Sequence, residues 1–124
     1  MTRLRPMLPQ LLATALLAAP LAARAARPAT DANLFLWNQA NARMANAARP
    51  QDFAEAATLY RRLLDRGVRN APLFQNYGTA LLLAEAPEAA LDAFLRAERR
   101  GGSTADLRRN LEVALGARQN GAGN

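Results

Sequence analysis

The chain has 124 residues, 51% apolar but only 6% aromatic, enough for one small domain with a modest core. All 16 basic residues are arginine, and His and Cys are absent, which removes imidazole bases, thiolate nucleophiles, zinc sites and disulfides. Alanine makes up about a quarter of the residues, a helix-forming bias.

The first stretch, "MTRLRPMLPQLLATALLAAPLAARA", carries Arg3 and Arg5, an apolar run over residues 8–23, and the small-residue pattern Ala23-Arg24-Ala25. These are the three parts of a secretory signal peptide, residues 1–25, cleaved after Ala25, and they predict a periplasmic or otherwise exported protein. The competing reading is an uncleaved membrane anchor, but the run is short for a span and is interrupted by Pro9, Gln10 and Pro20. Without cysteine, lipoprotein modification is excluded. Removing residues 1–25 takes away Arg3, Arg5 and Arg24 and no acid, so the net charge falls from +6 to +3. Nucleic-acid binding wants a clustered basic face, so no nucleic-acid partner is expected. Membrane contact is expected only through the signal sequence or a partner.

Residues 26–33 read as a linker, and the remainder as helices separated by Pro and Gly, with no competing strand pattern. The first helix is expected to start near Asp31 as a cap and to run through "NLFLWNQANARMANA" until "ARPQ" breaks it. The second runs "DFAEAATLYRRLLDR" to Gly67, which suits a helix C-terminus. Asn70 caps the third, with Pro72 in its first turn and its end near Glu85. Pro87 and Glu88 open the fourth, and Gly101-Gly102 closes it. The fifth starts at Ser103 or Thr104, where "STAD" resembles a capping box with Asp106 in the acid position, and residues 121–124 form a disordered tail.

Short connections between five helices call for a search for internal repetition. Ala56, Tyr60 and Leu63 recur as Ala90, Phe94 and Ala97 at an offset of 34, as do Asn76, Tyr77 and Leu81 as Asn110, Leu111 and Leu115. Trp37, Ala40 and Met44 match Phe74, Tyr77 and Leu81 at an offset of 37 instead. Three extra residues therefore lie between Met44 and Ala56, and placing them at "NAARPQ" predicts a longer turn in the first hairpin.

A 34-residue helix-turn-helix period with large, small and aromatic residues in this order resembles the tetratricopeptide repeat (TPR). Phe74, Tyr77, Gly78, Leu81, Ala90, Phe94 and Ala97 fall on the family's signature positions, although Gly102 stands where it usually has proline. Trp37, Ala40, Met44, Ala56, Tyr60 and Leu63 match in the first repeat, where Asn41 replaces the glycine. The resemblance implies an all-α fragment of an α-solenoid: TPR repeat 1 at 34–70, TPR repeat 2 at 71–104 and a capping helix at 105–120. It gives Gly78 a task, because with Ala90 and Ala97 it leaves room for Phe94 at a close helix crossing. About three repeats are generally needed for independent stability, so a protein partner or a homo-oligomer is expected.

Residue chemistry points away from catalysis. Ser103 is the only serine, its expected job is a helix cap, and no His or Lys is present to activate it. The acids are spread along helix surfaces, and a pair such as Glu88 and Asp92 suits a helix N-terminus better than acid/base work. The chain is therefore read as no enzyme, with no catalytic or metal site and no cofactor. Arg61, Arg62, Arg66 and Arg69, then Arg96, Arg99 and Arg100, cluster at the ends of the second helices, where they complement the helix dipole; the alternative is anion recognition, against which the acids interleaved in sequence count. The spacing of Trp37, Tyr60, Phe74, Tyr77 and Phe94 makes them core rather than a ligand cage.

By position, the TPR resemblance implies a peptide-binding groove on the first helices of the hairpins. Its candidates are Asn38, Gln75, Asn76, Thr79, Arg109 and Asn110, flanked by Ala42, Ala45, Leu82, Asp106 and Val113. Amides such as Asn76 and Asn110 donate and accept at once, which suits an extended peptide backbone; the alternative is a solvated face or an inter-helix hydrogen bond. The family's carboxylate clamp is not reproduced, since its positions hold Asn38, Ala42, Asn76, Asp106 and Asn110, so an acidic C-terminal tail is not the expected ligand of this groove.

The signal peptide followed by "WNQANARM", "FAEAATLYRRLLDRG", "NAPLFQNYGTALL" and "DLRRNLEVAL" is also similar to the short exported TPR proteins of bacterial aerotolerance (Bat-type) operons. That likeness implies an envelope scaffold or adaptor with von Willebrand A-domain and MoxR-type partners. The alternative is a self-associating structural envelope protein that makes no use of the groove.

Overall fold

The computed structural model describes residues 21–123, which are arranged in five helices and no strand. They are α1 (Leu21–Asn46), α2 (Pro50–Asp65), α3 (Ala71–Leu83), α4 (Pro87–Gly101) and α5 (Ala105–Ala122). The all-α expectation holds. By its contacts the chain divides into residues 1–32 and residues 33–124, and the packing described below belongs to the second unit. The signal-peptide reading falls largely on residues 1–20, outside the described residues. Among the described residues no helix is long and apolar enough to cross a membrane.

Local chemistry sets most helix ends. Asn70 accepts a hydrogen bond from the Leu73 N–H at 2.9 Å and Thr104 one from Leu107 at 3.1 Å, each satisfying an otherwise orphaned donor. At the start of α2 the Asp52 carboxylate accepts from the N–H groups of Arg49 (3.0 Å) and Ala48 (3.1 Å). Those bonds hold its pKa below the usual carboxylate range, with the Arg49 N–H the larger cause. At its other end, Gly67 adopts φ +90°, the Gly67 N–H reaches Leu64 O and the Val68 N–H reaches Leu63 O. This is a Schellman ending built on the glycine the sequence offers for it.

Four details differ from the sequence reading. α1 is already helical at Leu21, so residues 26–33 are helix rather than linker, and Asp31 lies inside it instead of capping it. The extra residues of the first repeat do not lengthen its turn: residues 47–49 join α1 to α2 just as residues 84–86 join α3 to α4. They form nearly one added turn at the start of α2, where Pro50 and Gln51 begin the helix instead of breaking α1. Proline is well suited to that first position, because its missing N–H has no partner there. The cap of α5 is Thr104, so Asp106 sits one residue too early for a capping box and pairs with Arg109 instead. The helix also continues to Ala122 rather than ending at residue 120.

The core lies where the helices of each hairpin cross and is built from small residues around a few large ones. Ala56, Tyr60 and Leu63 of α2 are buried against α1 and α3, and Ala90, Phe94 and Ala97 of α4 against α3 and α5. Leu64 and Leu81 touch both clusters and join them. Tyr60, Phe74 and Phe94 are almost wholly buried, and the Trp37 and Tyr60 rings meet edge to face at 6.0 Å, which is core packing rather than a cage.

At the second crossing Gly78 lies against Phe94. A Cβ at residue 78 would sit 2.6 Å from Phe94 Cε1 and 2.7 Å from Cδ1, well inside van der Waals contact. The equivalent pair in the first hairpin is Asn41 with Tyr60, and there the tyrosine hydroxyl donates to Asn41 Oδ1 at 2.6 Å. On α5 the residue 34 positions after Gly78 is Glu112, which is exposed, and no further helix packs there among the described residues.

Two stability predictions follow from these contacts. Gly78→Leu is expected to cost about 1–3 kcal/mol by overpacking. In a Phe94→Leu background Gly78→Ala should become neutral or stabilising, because the helix-propensity gain of about 1 kcal/mol then stands unopposed. Urea unfolding followed by circular dichroism measures both. The end of α3 repeats the Schellman pattern of α2, with the Ala86 N–H on Leu81 O and the Glu85 N–H on Leu82 O, but here the left-handed residue is Glu85 at φ 64°. Glu85→Gly should therefore raise stability by up to about 1 kcal/mol, whereas Glu85→Ala should not.

Candidate functional site

The proposed groove residues lie on α1, α3 and α5, and their environments differ. Asn38 and Arg109 are exposed, while Gln75, Asn76, Thr79 and Asn110 are half-buried. The Thr79 hydroxyl donates to Gln75 O one turn back at 2.9 Å, and the Arg109 guanidinium is paired with Asp106. Neither interaction reaches another helix. Asn76 behaves differently, since its Nδ2 donates to Asn41 Oδ1 at 3.4 Å across from α3 to α1. The inter-helix hydrogen bond, one of the roles open to it from sequence, is thus formed.

Asn41 was not among the candidates, yet its carboxamide oxygen receives both Tyr60 from α2 and Asn76 from α3. The repeat alignment carries a signal for this: where the second hairpin has Gly78 and Phe94, the first has Asn41 and Tyr60, a paired change that adds one acceptor and one hydroxyl. The arrangement satisfies the buried phenol, and among the described residues no buried side-chain polar atom lacks a partner. Burial pushes the Tyr60 pKa up to about 12, against a smaller opposing pull from the neighbouring Asn76 amide.

A second set of polar side chains converges where the sequence reading favoured helix-end arginines over anion recognition. Arg69, in the loop after α2, donates through Nη1 to Leu64 O at 2.7 Å and Val68 O at 3.3 Å, which fits the expected role of arginine at a helix C-terminus. Arg100 near the end of α4 donates to Arg69 O at 3.2 Å, so the two helix ends are tied together. The guanidiniums of Arg100 and Arg96 lie 5.5 Å and 6.0 Å from the centroid of the Phe74 ring. Arg96 also pairs with Asp92 at 2.9 Å, and Arg99 makes only a long bond of 3.4 Å to Leu95 O on its own helix. Arg69, Arg96, Arg99 and Arg100 thereby line one open cleft floored by Phe74. The adjoining cleft between α2 and α4 adds Arg61 and the acids Asp65 and Asp92.

Neither surface brings together a nucleophile with a base. Among the described residues no three Asp or Glu side chains are grouped so that they could hold a metal ion. The first helices present amides and the ends of the second helices guanidiniums. No family model, curated protein or solved structure matches the chain.

The buried phenol makes a pH prediction. Because its folded pKa lies above the unfolded value near 10, the protein binds more protons folded than unfolded between those values. Its contribution to stability is fully present below about pH 10 and is lost as pH rises toward 12. Ultraviolet titration of tyrosinate should show one component with a midpoint near 12 that disappears in Tyr60→Phe.

Proposed function

We propose that this chain is an exported helical-repeat scaffold of the tetratricopeptide kind, acting in the cell envelope by binding another protein. The observation that carries this reading is the recurrence of one helix crossing: Gly78 against Phe94 in the second hairpin, and Asn41 bonded to Tyr60 at the equivalent positions of the first. A repeated crossing of this kind lays the first helices side by side and leaves their outward faces to a partner. Further support comes from α5, which has the pattern of a first helix but carries exposed Glu112 where a second helix would require a small residue.

Within this reading the contact face is formed by Asn38 and Gln75, by Thr79 and by Arg109 and Asn110, whose polar atoms suit an extended peptide. Asn76 contributes at the edge, because its amide is already turned toward Asn41. The partners implied by the likeness to Bat-type proteins are von Willebrand A-domain and MoxR-type proteins, and the chain itself supplies no catalytic step and takes no cofactor.

Asn38→Ala combined with Asn110→Ala alters the face without touching the Asn41 cluster. Used as bait against an envelope fraction, the parent protein should retain a defined partner that the double variant retains about tenfold less well, at unchanged helicity. Equal recovery by the two proteins would remove this face from the proposal.

A further inference from the structure

We infer that the arginine-lined cleft over Phe74 is a binding site for a carboxylate-rich segment of a partner protein. The inference rests on the reading of the chain as a protein-binding scaffold, but it places the contact on a different face from the amides of the first helices.

The argument starts from what the four arginines are held by. Arg69 is fixed by two backbone carbonyls and Arg100 by a third, and both Arg96 and Arg100 lie over the same buried ring. Guanidiniums held in this way lose little further freedom on binding a ligand, which is the usual entropic obstacle for long side chains. Helix-end capping uses few of their donors: each guanidinium has five N–H groups, and the bonds formed here take one nitrogen from each. Arg99 is bound most loosely of the four and is exposed, so its fork is available to a ligand.

Like charges converging on one ring repel one another, and the cleft they line has no acid of its own. Asp92 offsets Arg96 alone, from the adjoining cleft. An anion placed between Arg96, Arg99 and Arg100 would relieve that repulsion. Its chemistry is narrowed by the helix ends. Phosphate sites commonly draw on the N–H groups and positive dipole of a helix N-terminus; α2 and α4 present their C-terminal carbonyls here, and at the adjoining start of α3 Pro72 has no N–H and the Leu73 N–H is already taken by Asn70. The donors that line the cleft are guanidinium forks, which take a carboxylate two bonds at a time, and for a protein-binding scaffold carboxylates are the anions a partner chain offers. Phe74 is buried beneath Arg96 and Arg100 and serves to hold their guanidiniums in place rather than to contact the ligand.

The test uses the full chain and a fluorescein-labelled oligoglutamate peptide read by fluorescence anisotropy. Binding is expected, and it should weaken steeply as salt rises. Arg99→Gln, which removes no packing over Phe74, should weaken it severalfold, and Arg96→Gln with Arg99→Gln and Arg100→Gln by about tenfold or more. Arg99→Lys keeps the charge but not the fork and should fall between the parent and Arg99→Gln. A control that removes as much charge elsewhere, Arg43→Gln with Arg108→Gln and Arg118→Gln, should stay within about twofold of the parent. Circular dichroism establishes that each variant is folded.

The proposal is overturned if the cleft and control variants lose binding equally, or if the cleft variants bind as the parent does. It is also overturned if inorganic phosphate at matched ionic strength displaces the peptide while chloride does not, or if phosphatidylserine vesicles bind in the same Arg99-dependent way and the peptide does not. Loss of partner capture in the Asn38 and Asn110 variant with peptide binding intact would separate the two faces. No peptide binding by the parent protein, with partner capture intact, would sink only the cleft.

Discussion

The contact between Gly78 and Phe94 is the constraint from which the rest of the arrangement follows. A phenylalanine ring fully buried between α3 and α4 requires a surface on α3 with no side chain at all, and a Cβ there would lie 2.6 Å from the ring. Glycine in the middle of a helix is unfavourable by about 1 kcal/mol, and burial of an aromatic ring offsets that several times over. Ala90 and Ala97 on the same helix keep its remaining surface small, so α4 can lie close to its neighbours. The first hairpin meets the same demand by different chemistry. There Asn41 supplies the acceptor a tyrosine hydroxyl needs when its ring is buried, and the bond also draws Asn76 of α3 toward α1. One crossing is thus closed by shape and the other by a hydrogen bond, and the second also links two hairpins.

Features determined by neighbours in the chain were legible before the fold was known. Asn70, Pro72, Pro87 and Gly67 act within one turn of their own positions, and each sits where local backbone chemistry places it. The features that escaped depend on a choice that local chemistry leaves open. Proline stops one helix and starts another with equal ease, so an offset of three residues located the insertion between Met44 and Ala56 without saying whether it was turn or helix. The stretch before Asp31 was read as a linker ending in a cap, but it is rich in alanine, and in spite of Pro28 its helix propensity prevails in residues 21–30. Asp106 was misread by a single position, which is enough to exchange a cap for a surface ion pair.

The candidate sites show the same limit at longer range. Asn38 and Asn110 were selected by helix position alone, and the first is exposed and the second half-buried. The role of Asn76 needs Asn41, 35 residues away, and becomes visible only when the change from glycine to asparagine is read together with the change from phenylalanine to tyrosine. The arginines were legible as helix-end residues one helix at a time, and Arg69 does act in that way. What no single helix reveals is that the ends of α2 and α4 lie beside each other, so that two separate sets of dipole-complementing charges become one cleft over Phe74.

Buried positions in this chain are so tightly specified that they have little capacity to vary with a ligand: Ala40, Ala56, Ala80, Ala90 and Ala114 are wholly enclosed, and any larger residue would push helices apart. Under the proposed scaffold reading, recognition falls to residues that the crossings leave free, which lie in two places. The first helices present amides, whose donors and acceptors come in equal measure and favour a peptide backbone over a charge. The ends of the second helices present guanidiniums, which favour a carboxylate and act at longer range through their charge. A partner with an acidic segment next to an extended one would engage both, with the cleft steering the encounter and the amide face setting the register. That division follows from the repeat itself, because each added hairpin contributes one first helix to one face and one second-helix end to the other.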